Sequence, residues 1–145
     1  MKLEEIQSLW AQDSKIDSSN LGDESLKIPS LHSKYFRILS EERLRLKKLN
    51  MDHKALYRLR HEFFTGTIAD EDLRDKGWKP NPLKILRTDL PLYLESDKEL
   101  VDLTLRIGLA EEKLDFLKDI IKSLNNRNYI ISNSINWLKF SNGVN

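Results

Sequence analysis

From residue 100 onward, apolar side chains recur on a seven-residue period: Leu100, Leu103, Ile107, Ala110, Leu114, Leu117, Ile121, Leu124, Asn128, Ile131, Ile135 and Leu138. Eleven of these twelve seam positions are apolar. A strand alternates its side chains with period two, so this spacing demands helix. Val101, Leu105, Leu109, Phe116 and Ile120 widen the apolar surface beyond the seam. A helix that is apolar on more than one side belongs inside a bundle. Residues 96–145 are therefore expected to form a helical oligomerisation region. Its contacts are expected from Leu100, Leu103, Ile107, Leu114, Leu117, Ile121, Leu124, Ile131, Ile135 and Leu138. Asn128 leaves two readings open. A polar seam residue fixes register or oligomer state, or Asn125-Asn-Arg-Asn128 divides the region into two helices.

The remainder, residues 1–95, reads as a second helical region. Leu3, Ile6, Leu9 and Trp10 fall at helical spacing, which predicts a short helix over 2–12. Residues 13–30 are rich in Asp, Ser and Asn and contain Pro29, and read as a connection. Its length would let the N-terminal segment pack on a neighbouring subunit or a partner. A long amphipathic helix is expected from Ser30 to Thr65, capped by Ser30 or Ser33 and ended by Gly66. Its apolar stripe is Tyr35, Leu39, Leu46, Leu49, Leu56, Leu59 and Phe63. Residues 67–75 predict a short helical turn, and Gly77-Trp-Lys-Pro-Asn-Pro82 cannot be helix interior. Pro91 prolongs that irregularity, residues 83–87 read as an extended segment, and Asp97 is placed to cap the last helix. The fold class is all-α.

Net charge is +1, but its distribution is uneven. Residues 1–26 carry −4, 27–87 carry +7, 88–120 carry −5 and 121–145 carry +3. A basic block between acidic ones suggests a nucleic-acid or other anionic partner for the middle. Within it, Lys54-Ala-Leu-Tyr-Arg-Leu-Arg-His-Glu-Phe-Phe-Thr-Gly66 joins cations to aromatic rings. Cations neutralise phosphates and rings stack on unpaired bases, the pairing used by single-strand binders. A solvated amphipathic helix would carry a similar pattern. The candidate nucleic-acid-binding residues are Arg43, Arg45, Lys47, Lys48, Lys54, Arg58, Arg60, Phe63 and Phe64. Trp78, beside Lys79 on the Pro-rich loop, is a further ring that could stack on a base.

Several chemistries find no support. The chain has no cysteine, so thiol catalysis and thiolate metal sites are excluded. No Gly-rich phosphate loop is present, and His32, His53 and His61 form no metal-ligand pattern. Asp70-Glu-Asp72 with Asp75 reads as a solvated acidic turn. The expectation is a protein that is not an enzyme and has no cofactor or metal. The N-terminus lacks the apolar run of a signal peptide, and no apolar stretch is long enough to span a membrane. At 39% apolar and 32% charged, the core is modest, and subunit contacts are expected to supply part of it.

The order of segments resembles the phage UvsY family of recombination mediator proteins. The residues that carry the likeness are Met1-Lys-Leu-Glu-Glu-Ile-Gln7, Ile16-Asp-Ser-Ser-Asn-Leu21, His32-Ser-Lys-Tyr35 and above all Arg58-Leu-Arg-His-Glu-Phe-Phe-Thr-Gly66. The resemblance implies an all-α protein forming a ring of six or seven copies through its C-terminal helices. It implies single-stranded DNA as ligand. Its partners would be a RecA-type recombinase and a single-strand-binding protein, in the cytoplasm of an infected bacterial host. The recombinase would be helped to load onto coated strands during recombination, repair and replication of phage DNA. Arg58 and Arg60 match the family's two basic DNA-binding positions. Phe63 and Phe64 stand where tyrosines are common, which keeps the stacking faces and removes the hydroxyls. The rival reading is a structural or adaptor coiled-coil oligomer with no DNA-binding activity.

Overall fold

Helix is the only regular structure in the computed structural model, which describes residues 1–83 and 85–143. The helices are α1 (Leu3–Asp13), α2 (Leu21–Thr65), α3 (Asp70–Lys76), α4 (Leu90–Glu95) and α5 (Lys98–Ser141). The all-α expectation holds. Two compact units divide the chain, and each takes part of α2 and part of α5. The first comprises residues 1–43 and 112–145, the second residues 44–111. This division differs from one made at residue 95.

In the first unit, α1 begins where Glu5 accepts the Lys2 N–H at 2.9 Å, and it buries Ile6 completely. A tight turn follows instead of a long connection. Asp17 accepts from the Ser19 N–H (2.9 Å), the Ser19 hydroxyl (2.6 Å) and the Asn20 amide (2.9 Å). The Asn20 carbonyl then takes the first helical bond, from the Glu24 N–H. Helix α2 therefore starts at Leu21, nine residues before the expected Ser30, and Ser30 and Ser33 lie inside it. Pro29 is a helix-interior residue. It leaves one backbone acceptor without its helical N–H and costs about 3 kcal/mol relative to Ala. Burial outweighs that loss: Leu21 and Glu24 are buried, and Ile28 and Leu31 half-buried, at the spacing of one helix face.

The N-terminal helix packs on its own chain. Tyr35 is fully buried, its ring 5.5 Å edge-on from Trp10, and its hydroxyl donates to Asp13 Oδ2 at 2.7 Å. Lys34 reaches the same oxygen at 2.7 Å. From α5, the Arg127 guanidinium donates to the Asp13 carbonyl (2.7 Å) and lies 5.6 Å from the centre of Trp10. A cation there meets the negative end of α1.

Helix α5 is unbroken, which removes the reading of a break at Asn125–Asn128. Asn128 is exposed, so it is not a buried register device within the chain. The inward positions are Leu114, Leu117, Ile120, Leu124, Arg127 and Ile131, a straight-helix rhythm displaced from the heptad at 120 and 127. Leu117 and Leu124 are 0% exposed and Ile131 is 2% exposed. These seam residues are core of a single chain. The seam's Leu100, Ala110 and Leu114 are likewise buried, whereas Leu138 is exposed. Of the other seam residues, Leu103, Ile107, Ile121 and Ile135 are half-buried.

In the second unit, α2 and α5 run antiparallel, since His53 faces Thr104 and Arg60 faces Asp97. Gly66, at φ 77°, ends α2 in a conformation that glycine adopts without strain. The acidic residues 70–72 occupy the first turn of α3, where the helix dipole favours them. Pro91 does not prolong irregular chain. It sits in the first turn of α4, where its missing N–H is not needed. Residues 85–86 have no regular structure and 87–89 form a turn, so the extended reading of 83–87 fails; its Lys84 lies outside the described residues. Phe64, Leu90, Leu94 and Leu100 make the core, with Leu56, Phe63 and Ile85 against it.

Candidate nucleic-acid interface

A helix advances about 100° per residue, so residues two apart lie on nearly opposite sides. Arg58 and Arg60 obey this. Arg58 projects from α2 with its side chain 76% exposed and pairs with Glu62, one turn on, at 3.2 Å. Arg60 turns inward and is 13% exposed.

The inward guanidinium is held on several sides. Asp97 Oδ1 accepts from its Nη2 at 2.6 Å and its Nε at 3.1 Å. Phe63, Trp78 and Phe64 surround it, with ring centres 4.4, 4.6 and 4.9 Å away. The other Asp97 oxygen accepts the Leu100 N–H at 3.2 Å, which is the expected cap of α5. One buried carboxylate thus fixes both the start of α5 and an arginine of α2. Trp78 completes the cluster, its indole N–H donating to Glu99 at 3.1 Å. Arg60 and Phe64 thus have partners within the unit, and the half-buried Phe63 and Trp78 have their rings in contact there.

The other cations are on the surface. Arg45, Lys47, Lys48, Lys54 and Arg58 are all exposed in the second unit, and Arg43 is exposed at the end of the first. Around α2, Lys47, Lys54 and Arg58 fall within about 40° of one another, opposite the packed stripe. They form a row that a polyanion could follow. Beside it runs a second row, His53, Tyr57 and His61, spaced i, i+4, i+8. The His53 and Tyr57 rings stack at 6.4 Å. Tyr57 is 46% exposed and is the ring of the basic–aromatic motif that stays accessible. The buried Arg127 is a residue that sequence reasoning missed; its only sequence signal was a cation at core spacing between Leu124 and Ile131. Among the described residues, no group of His, Asp or Glu is placed to hold a metal ion, and no helix is long and apolar enough to cross a membrane.

Three crystal forms of the bacteriophage T4 recombination mediator protein UvsY share this fold. Lattice type II gives a TM-score of 0.83 at 20% identity, covering 97% of this chain and 98% of that one. Lattice type IV gives 0.84 at 19%, covering 97% and 99%. Lattice type I gives 0.81 at 17%, covering 94% and 98%. Among curated proteins, none matches the chain significantly. The family model described as "Recombination, repair and ssDNA binding protein UvsY" matches residues 9–144. With nearly its whole length matched, the chain belongs to the UvsY family.

Proposed function

We propose that this protein is a non-enzymatic recombination mediator. It binds single-stranded DNA and assists a RecA-type recombinase to load onto strands coated by single-strand-binding protein. The observation that carries the reading is the exposed row Lys47, Lys54 and Arg58 on α2, in a chain of a family described by recombination and single-strand binding. Each protomer offers a modest phosphate-binding face. Repeating it in a ring of six or seven copies raises the effective affinity without any new contact. The exposed apolar residues of α5, including Tyr129, Ile130, Trp137 and Phe140, supply the association between copies. The coated strand is held at the ring, the coating protein is locally displaced, and the recombinase nucleates. The site of action is the cytoplasm of the infected host, where these partners meet.

The test pairs a binding titration with a loading assay. Lys54→Ala with Arg58→Ala should weaken binding to an oligothymidylate and lower the slope of log K against log salt by about 0.7 per lost contact. The wild-type protein should raise the single-strand-dependent ATPase of its cognate recombinase on coated DNA, and the double variant should lose most of that effect. Tight binding with no effect on filament assembly at any salt concentration would make the protein a strand-coating protein instead.

A further inference from the structure

The second row on α2, His53, Tyr57 and His61, lines a cavity of which Lys47, Lys54 and Arg58 are not part. The cavity holds about 520 Å3 and lies wholly within the second unit. Its lining includes the buried Leu94 and Leu100 and the exposed Tyr57, Arg87, Glu95 and Leu105. The volume falls in the range of small-molecule sites, and an apolar lining with a few polar groups is their usual construction. Leu105 is 67% exposed, so the cavity is open to solvent.

The neighbouring charge narrows the choice of occupant. Lys54 and Arg58 lie about 60–100° around the helix from Tyr57, within one turn of it. A strand whose phosphates track those cations has its bases beside the Tyr57 ring. Base faces are apolar and stack on aromatic rings, while base edges need polar partners. Tyr57 supplies the ring, backed by His53. Thr104 Oγ1, 3.5 Å from His53 Nε2, and the Arg87 guanidinium supply polar groups at the edge. We propose that this cavity is a nucleobase site, in which an unpaired base of the bound strand stacks on Tyr57 while its phosphates lie on Lys54 and Arg58. The proposal rests on the single-strand-binding reading and adds a base contact to it.

The experiment compares an oligothymidylate with an abasic backbone of equal length. Wild-type protein should bind the abasic strand more weakly, by about tenfold for each protomer engaged, the size of one lost base stack. Tyr57→Ala should bind both strands alike, at the weaker level, with an unchanged salt slope. Tyr57→Phe, which keeps the ring, should restore the difference. Should wild type bind the two strands equally while Lys54→Ala/Arg58→Ala still loses affinity, the base site falls and the DNA-binding reading stands. Should wild type bind neither strand, both fall together. Should Tyr57→Ala keep full DNA binding yet lose stimulation of the recombinase, the groove is a protein-docking surface and the proposal is overturned. The strand comparison in wild type needs no substitution, so it decides the question even where a variant fails to fold.

Discussion

At the residue scale, the decisive contrast is Arg58 against Arg60. In the sequence they are two equivalent cations of one motif. In the structure the first is solvated and the second lies among three rings with Asp97 as its counter-ion. Spacing alone held the warning, because an i, i+2 pair on a helix cannot serve one face. The identity of the arginine's partner, thirty-seven residues away, was not legible, since nothing local links 60 to 97. Removing one member of a buried ion pair strands the other in a poorly solvating site. Arg60→Ala should therefore cost about 3–5 kcal/mol of stability, measured by urea unfolding. Arg60→Lys should recover little, because an ammonium cannot make the planar two-nitrogen contact or stack between rings. A cycle with Asp97→Ala should show strong coupling. An Arg60→Ala protein of wild-type stability that has merely lost DNA binding would return this residue to the interface.

At the element scale, the first unit is sensitive to pH from both sides. Burial pulls the Asp13 carboxyl up, but the bonds from Lys34 and Tyr35 and the charges of Lys34 and Arg127 together outweigh it, so it titrates below its ordinary 3.8. Burial and the neighbouring Asp13 both push the Tyr35 phenol well above its ordinary 10.0. A depressed acid contributes stability above its unfolded value, and that contribution fades as pH falls through the folded one. A raised phenol contributes below pH 10 and fades as pH rises beyond it. Stability should therefore hold between these limits and decline outside them. Asp13→Asn should flatten the acid limb and Tyr35→Phe the alkaline limb in pH-dependent unfolding; limbs unchanged by these substitutions would contradict the assignment. Pro29 belongs to the same scale. It is exposed and helical, so Pro29→Ala should stabilise the protein by about 1–3 kcal/mol, visible as a higher urea midpoint. Sequence reasoning ended the connection at this proline because proline usually interrupts helices. The apolar rhythm of Leu21, Ile28, Leu31 and Tyr35 was the signal that tertiary packing would override it.

At the scale of the whole molecule, periodicity revealed many of the covered α5 residues, though not Ile120 or Arg127, and it did not reveal what covers them. A heptad reports that a face is removed from water; it does not say whether the neighbour is the same chain or another. Leu117, at 0% exposure, belongs to its own chain's core, whereas Tyr129 is 70%, Trp137 66% and Phe140 74% exposed. Two substitutions separate the roles. Leu117→Asp places a charge where neither water nor a partner reaches it, so the first unit should lose its cooperative unfolding transition as well as any assembly. Trp137→Glu with Phe140→Glu changes only exposed positions of the free chain. Helical content and the urea midpoint measured on the dissociated protein should match wild type, while light scattering should show a smaller species at micromolar concentration. Since multivalent binding depends on assembly, the same double variant should bind a short oligothymidylate nearly as wild type does. Its affinity for a strand long enough to span several protomers should fall by tenfold or more, on the order expected when effective concentration is lost. Retained mass in the Trp137/Phe140 variant would place the contacts between copies elsewhere on the molecule.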